Sequence, residues 1–442
     1  MFRSRIIPAM MVAGLFFTPT PLFAQSGQQD LTRLLLEQFV QNVVLARTAG
    51  GAGLVAHSPS FANDPRLGAS VTNISNIVNQ LSTQIGSQLS ALPVGSSSGG
   101  FTYRYDAATG TYTRSTETFG PAFAERAQTL GRNRVNFGVS YTHSSYSELD
   151  GRDLESGEIR FYLPHESLSP PSFVEGDVLE ASLRMKLSSD TTVFFMTAGV
   201  TETLDIGFAF PFQRVNMDVT YRATILDFAT GTTAPDVHVF ANGTKTADFS
   251  TSASASGLGD ILVRAKYNFS RTADQAFALG LDLRLPTGDE ANMLGNQSTQ
   301  TQIYLISSLS AGRIGPHFNV GYTMAGEDGT NQINYVAGAE LAATPRLTIV
   351  GDLIGRLFLD TFRLENEVIP HPFRQSDAGP QEVTSLNTVR ARAGNVASIL
   401  GTIGMKFNPV SNLLINAHLI FTITDAGLRR NLTPVLGFDF SF

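Results

Sequence analysis

Leu436-Gly437-Phe438-Asp439-Phe440-Ser441-Phe442 is the stretch whose reading decides the fold. Apolar side chains alternate with small or acidic ones, the period of an extended strand with two unlike faces. The same period runs back along the chain. Leu413, Ile415, Ala417, Leu419, Phe421 and Ile423 stand against Asn416, His418 and Thr422. Phe318, Val320, Tyr322 and Met324 alternate with Asn319, Gly321 and Thr323, and Phe277 to Leu285 alternate with Ala278, Gly280, Asp282 and Arg284. Leu179 to Leu187 alternate with Glu180, Ser182, Arg184 and Lys186, and Val135 to Tyr141 with Asn136, Gly138 and Ser140. A tilted strand of about 10 residues spans the hydrocarbon core of a bilayer. In a membrane barrel the apolar face meets lipid and the polar face a wet lumen. A soluble sandwich alternates as well, so period alone does not choose.

The connections choose. Read back from Phe442, they are tight at Asn408-Pro409-Val410, long over 359–395, tight at Ala342 to Pro345, moderate at Gly326 to Asn331, and tight at Gly312 to Gly315. They are then long at Pro286 to Gln300, short at Ser270 to Asp274 and long at Asp227 to Ser256. Short turns on one side and long loops on the other are the habit of an outer-membrane barrel. A terminal apolar strand ending on Phe442 fits recognition by the barrel assembly machinery, and closure requires it to pair with the first strand. The expected fold is therefore all-β, a transmembrane antiparallel barrel over 133–442. Nine strands are legible from Leu258 onward. Earlier candidates lie at 133–143, 177–187, 190–200 and 204–225. The last changes apolar phase between Phe212 and Val215, beside Pro211, which reads as a bulge or a turn. A split there, or a strand near Glu158 to Leu163, makes fourteen strands, the favoured count; twelve is the next.

The front of the chain differs. Arg3 and Arg5 precede the apolar run Ile6 to Phe17, and Leu22-Phe23-Ala24 closes it, the plan of a cleaved export signal over 1–24. From 25 to 132 the pattern is helical and then irregular. Asp30 caps one expected helix through Arg47, and Val71, Ile74, Val78, Leu81, Ile85 and Leu89 mark another. Gly95 to Gly100 is a linker, and Tyr103, Tyr105 and Tyr112 flank a hairpin turn. This segment is expected either to plug the pore or to extend into the periplasm.

Composition excludes several functions. Net charge is −7, with no block of lysine or arginine, so nucleic acid is not an expected partner. Cysteine is absent, which removes disulfides, zinc-thiolate sites and cysteine nucleophiles. The histidines lack metal-ligand spacing, and no cofactor or metal is expected.

Several segments carry a resemblance. They are Phe119-Gly120-Pro121-Ala122-Phe123-Ala124-Glu125-Arg126-Ala127, Asn136 to Tyr141, Leu149-Asp150-Gly151, Gly199 to Gly207, Gly257-Leu258-Gly259-Asp260-Ile261, Arg264-Ala265-Lys266-Tyr267 and Leu285-Pro286-Thr287-Gly288-Asp289-Glu290. Together they resemble the outer-membrane transporters grouped with the meta-pathway phenol-degradation protein, over roughly Phe119 to Phe442. The resemblance implies an outer-membrane β-barrel that passes small, often aromatic or hydrophobic compounds. It implies no catalytic residue.

Strand parity assigns a lumen face carrying Arg184, Lys186, Asp218, Arg222, Arg264, Lys266, Asp282, Arg284, Glu340, Asp352, Arg356, Lys406 and His418. With a turn centred near Arg271-Thr272, Asp260 would oppose Arg284 and Arg264 would lie diagonal to Asp282. Such charges form either a selective constriction or a salt-bridge network filling the lumen. His143, Ser145 and Glu148 are the set a lipid-hydrolysing barrel would need. The leading expectation is a passive outer-membrane channel for small hydrophobic or aromatic solutes, embedded in outer-membrane lipid. A structural, adhesive or receptor barrel is the alternative, and a lipid-modifying enzyme the third.

Overall fold

The structure is a computed structural model that describes residues 30–32, 45–48, 54–58, 68–90, 95–96, 100–106, 111–114, 116–164, 178–226, 238–240, 242–296, 298–327, 329–374, 381–410 and 412–442. The expected export signal and most of the expected helix over 30–47 lie outside them, and the described end of that helix is instead a strand, Leu45–Thr48, paired with Leu54–Ser58.

Twelve strands close a ring. They are β1 (Val135–Leu149), β2 (Val178–Gly199), β3 (Leu204–Leu226), β4 (Ile261–Arg271), β5 (Gln275–Leu285), β6 (Gln300–Leu309), β7 (Ile314–Ala325), β8 (Gln332–Thr344), β9 (Leu347–Arg374), β10 (Gln381–Val410), β11 (Leu413–Thr422) and β12 (Thr433–Ser441). Each pairs antiparallel with its neighbours, and β12 returns to β1 with Phe440 opposite Phe137. Phe442 N donates to Val135 O at 3.0 Å and Val135 N to Phe442 O at 2.9 Å. No edge is left bare in lipid, as a spanning sheet requires.

The connections at 200–203, 272–274, 310–313, 345–346 and 411–412 share one end with Phe442. The strand ends from which the longer connections leave, Leu149, Leu226, Leu285, Ala325 and Thr422, lie at the other. The short-turn end is periplasmic on the outer-membrane pattern. Every strand exposes large apolar side chains outward, among them Phe194, Phe210, Leu281, Phe318, Met405 and Phe438. A band of that size has no place in water and identifies the lipid-facing surface. The chain is an outer-membrane β-barrel.

The count is twelve, not fourteen, for a reason visible in β3. Its side-chain alternation never breaks: even residues face out and odd residues face in from Leu204 to Leu226. The apolar residues change sides instead. Phe208, Phe210 and Phe212 point outward, whereas Val215, Met217, Val219 and Tyr221 point inward and are buried. The neighbouring β2 does the same, with Leu179, Leu183 and Leu187 inside and Phe194 and Met196 outside. The strands leave the bilayer near these switches. Below, lipid demands apolar side chains outside; above, water is outside and the apolar side chains pack a core within. The strands expected separately at 177–187 and 190–200 are thus one strand crossing that boundary, and the phase change at 212–215 is neither bulge nor turn.

The same projection accounts for 359–395, expected as a loop. β9 and β10 stay paired up to Arg374 opposite Gln381, with a register shift between Phe358 and Thr361. A further strand, Thr246–Leu258, pairs along the upper half of β3. Helix α1 (Gly68–Ser90) packs at this end, where Leu81, Ile85 and Leu89 join Met217, Tyr221 and Leu428 in one core.

Candidate functional site

A segment with irregular backbone lies inside the barrel. Below it, the hairpin Tyr103–Asp106 with Thr111–Arg114 sits at the periplasmic end, where Phe101 and Phe119 pack on Leu414. The Arg134 guanidinium stacks on Tyr103 at 4.6 Å from the ring centroid. From Thr118 to Leu130 the chain then runs across the lumen.

Without a ladder partner, that backbone must find its hydrogen bonds elsewhere. Inward-facing side chains supply them. Phe119 N donates to Thr348 Oγ1 at 3.0 Å, and Ala122 N and Phe123 N donate to Asp352 Oδ2 at 3.1 and 2.8 Å. Glu125 N donates to Asn319 Oδ1 at 2.6 Å, while Asn319 Nδ2 donates back to Glu125 O at 3.0 Å. Ala127 N donates to Ser308 Oγ at 2.9 Å, and Leu130 N to the Asp205 carboxylate at 3.1 Å. Lys406 Nζ donates to Pro121 O at 2.6 Å, and Asn268 Nδ2 to Ala127 O at 2.9 Å. The contacts run from β10 round to β3.

Two side chains of the segment are ion-paired to the wall. Arg126 Nη2 donates to Glu340 Oε1 at 2.8 Å, and Glu340 also accepts from Thr118 Oγ1 at 2.7 Å. His317 Nε2 lies 3.0 Å from the same oxygen. Glu125 pairs with Arg264 and lies 3.6 Å from Lys266 Nζ. Arg264 also grips Asp282 with both arms, at 2.8 and 2.6 Å. The turn after β4 spans 272–274 rather than centring on Arg271-Thr272, so Arg264 stands directly opposite Asp282 and Leu262, not Asp260, opposes Arg284. Tyr304 lies over Gly280 and Gly321, where a β-carbon would overlap it, and its hydroxyl donates to Asp282 at 3.1 Å.

Of the residues assigned to the lumen by parity, Arg264, Lys266, Asp282, Arg284, Glu340, Asp352, Arg356, Lys406 and His418 face inward. Arg184, Lys186, Asp218 and Arg222 do not. They lie on the outer face of β2 and β3 above the bilayer, where the apolar and polar sides have exchanged. Arg222 there pairs with Asp248 at 2.8 Å, and Lys186 lies 3.8 Å from Glu155. Parity omitted Glu125 and Arg126, which belong to no strand; their place in an otherwise apolar and small-residue segment was the available signal. Asn319, Ser308 and Asp205 escaped because uncharged or turn-proximal residues draw no attention until the backbone they serve is seen.

Two cavities flank the segment, and Phe123 lines both. The first, about 720 Å³ with its opening to solvent included, has an apolar wall of Val193, Phe195, Ile420 and Val435 with Lys406 and His418 among it. The second, about 670 Å³, carries Arg264, Asp282, Arg284, Tyr304 and Arg356.

The hydrolase set does not assemble. His143 Nδ1 lies 2.8 Å from Asp190 Oδ1, but the Ser145 hydroxyl accepts from Asn431 Nδ2 at 3.0 Å. Glu148 pairs with Arg429 at 3.1 Å. A nucleophile needs a hydrogen bond to its base, and among the described residues Ser145 and His143 make none to each other.

No curated protein matches the chain. Solved structures resemble it at low identity. The COG4313 outer membrane channel from Pseudomonas putida F1 has a TM-score of 0.41 and 12% identity, with 72% of this chain and 98% of that chain covered. A Pseudomonas aeruginosa FadL homologue has a TM-score of 0.29 and 10% identity, covering 70% and 89%. The TodX deltaS2S3 mutant monoaromatic hydrocarbon channel has a TM-score of 0.27 and 10% identity, covering 71% and 91%. Over residues 180–354, from β2 into β9, the chain matches the family model described as the putative MetA-pathway of phenol degradation.

Proposed function

We propose that this protein is a passive outer-membrane channel for small hydrophobic or aromatic compounds, with residues 118–130 as its plug. The carrying observation is the pair of cavities meeting at Phe123, inside a barrel whose lumen is otherwise crossed by that segment. One wall is largely apolar with a few polar groups, the make-up of sites for small apolar ligands. The family match over 180–354 favours aromatic solutes. The inward polar side chains serve mainly to hold the plug, so passage requires the segment to shift rather than the wall to open. Diffusion down a gradient needs no energy source.

Proteoliposome uptake of uncharged phenolic solutes tests the reading. Uptake faster than in protein-free vesicles is expected, and faster still in Arg126→Ala. Vesicles as tight as the lipid alone with both proteins would remove the channel reading and leave a structural, adhesive or receptor barrel.

A further inference from the structure

Most charges in the lumen are neutralised where they stand. Arg264 is bracketed by Asp282 and Glu125, and Arg126 by Glu340. Arg284 donates Nη1 to Ser90 O at 2.5 Å, tying β5 to the end of α1. Two other arginines differ. Arg430, on a short strand Leu428–Arg430 beside β1, is 8% exposed, and its Nε and Nη1 have no hydrogen-bond partner among the described residues. Its guanidinium lies 5.8 Å from the Tyr146 ring centroid. Arg356, on β9, has no ion-pair partner among the described residues.

Arg356 and Arg430 line one cavity, partly open to solvent, together with Gln88 of α1. The rest of its wall is Ile354, Phe358, Leu400 and Leu428, with Tyr146 and Ser398. Arg356 also lines the larger cavity beside the plug, so the two spaces adjoin. Two guanidinium groups facing one apolar-walled space are costly without a counter-charge. Guanidinium forks match a carboxylate in two parallel hydrogen bonds. The apolar wall sets the rest of the ligand.

We propose that this cavity binds a small amphipathic anion, an aromatic or short aliphatic carboxylate. Its carboxylate sits between Arg356 and Arg430, and its apolar part lies against Ile354, Phe358, Leu400 and Leu428. The proposal rests on the channel reading and narrows it from hydrophobic compounds at large to those bearing one acidic group. A free inorganic anion would satisfy the arginines but gain nothing from the wall.

The test titrates full-length protein in detergent with 4-fluorophenylacetate by fluorine NMR, beside the neutral 4-fluorobenzyl alcohol and inorganic phosphate. At neutral pH the carboxylate is expected to bind about tenfold tighter than the alcohol or more. Arg356→Gln and Arg430→Gln should each remove about that tenfold for the carboxylate and leave the alcohol unchanged. Arg356→Lys and Arg430→Lys keep the charge, lose the fork and should show a smaller loss, which serves if a Gln variant fails to assemble. Equal affinity for acid and alcohol, or variants that bind the acid like wild type, would overturn the proposal. Phosphate displacing the probe at equal concentration would overturn its amphipathic half. Uptake of the alcohol into proteoliposomes is read in parallel: uptake without acid preference sinks this inference alone, whereas no uptake of either solute sinks the channel reading, and the titration still decides the site.

Discussion

Arg126 Nη2 and Glu340 Oε1 lie 2.8 Å apart, and neither side chain is more than 2% exposed. The pair joins the lumen segment to the wall at a level where water is scarce. Removing one member of such a pair strands the other, typically at about 3–5 kcal/mol. Glu340 is not stranded wholly, since Thr118 and His317 remain beside it. Arg126→Ala is expected to raise single-channel conductance while the barrel keeps its heat-modifiable gel mobility. Glu340→Gln should do so less, because the amide still accepts a hydrogen bond. Conductance indistinguishable from wild type in both would mean that this pair does not hold the plug.

The exchange of apolar sides along β3 gives a positional prediction. Phe210→Arg places a charge in lipid, at a cost of about 2–4 kcal/mol near the midplane. Thr220→Arg, also outward but above the bilayer, should cost no more than about 0.5 kcal/mol. Val219→Asp, inward in the upper core, should again be severe through burial of an unpaired polar group. The yield of folded, heat-modifiable protein in the outer membrane reads all three. Equal yields for Phe210→Arg and Thr220→Arg would place the bilayer boundary elsewhere.

Asp260 clasps the loop 286–299 on the extracellular side. Its carboxylate accepts from Gly288 N at 3.1 Å and Asn296 N at 2.8 Å, and Thr287 Oγ1 donates to Gly259 O at 2.8 Å. Burial raises the Asp260 pKa above the ordinary value despite these bonds. The folded state therefore holds the proton more tightly than the unfolded chain. Its contribution is fully present below the unfolded pKa and is lost as pH rises through the folded one. Hydrogen exchange of Gly288 and Asn296, corrected for intrinsic rate, should quicken from acidic to neutral pH. Asp260→Asn should flatten that dependence; an unaltered pH profile in the variant would assign it to another group.

Tyr304 rests where Gly280 and Gly321 present no side chain. Gly280→Ala forces the ring aside, at about 1–3 kcal/mol for an overpacked site. The bond of its hydroxyl to Asp282 should loosen with it. A gel-shift melting midpoint lower than wild type is expected, with the loss largely recovered in the Gly280→Ala, Tyr304→Ala double variant. No recovery would mean that the methyl clashes with something other than the ring.

The resemblance motifs acquire distinct physical meanings. Gly257 to Ile261 and Leu285 to Glu290 are the two sides of the Asp260 clasp, far apart in sequence and joined by hydrogen bonds. Phe119 to Ala127 is the lumen segment itself. Neither role follows from the motifs alone, because each depends on a partner more than twenty residues away.

Alternation, the sorting of short and long connections and the Phe442 strand determined the architecture from sequence, because a strand's period and its neighbouring turns are local properties. The nine strands after Leu258 and the inward face of β4 to β12 were legible for the same reason: over that stretch lipid outside and polar groups inside hold along each strand through the bilayer. The count of twelve, the placement of Arg184, Lys186 and Arg222 outside, and the hold on the lumen segment were decided only in three dimensions. Parity records which residues share a face, but the medium against that face changes where β2 and β3 leave the bilayer. Likewise, Asn319 or Ser308 becomes part of a site only when a backbone without a ladder partner is brought beside it.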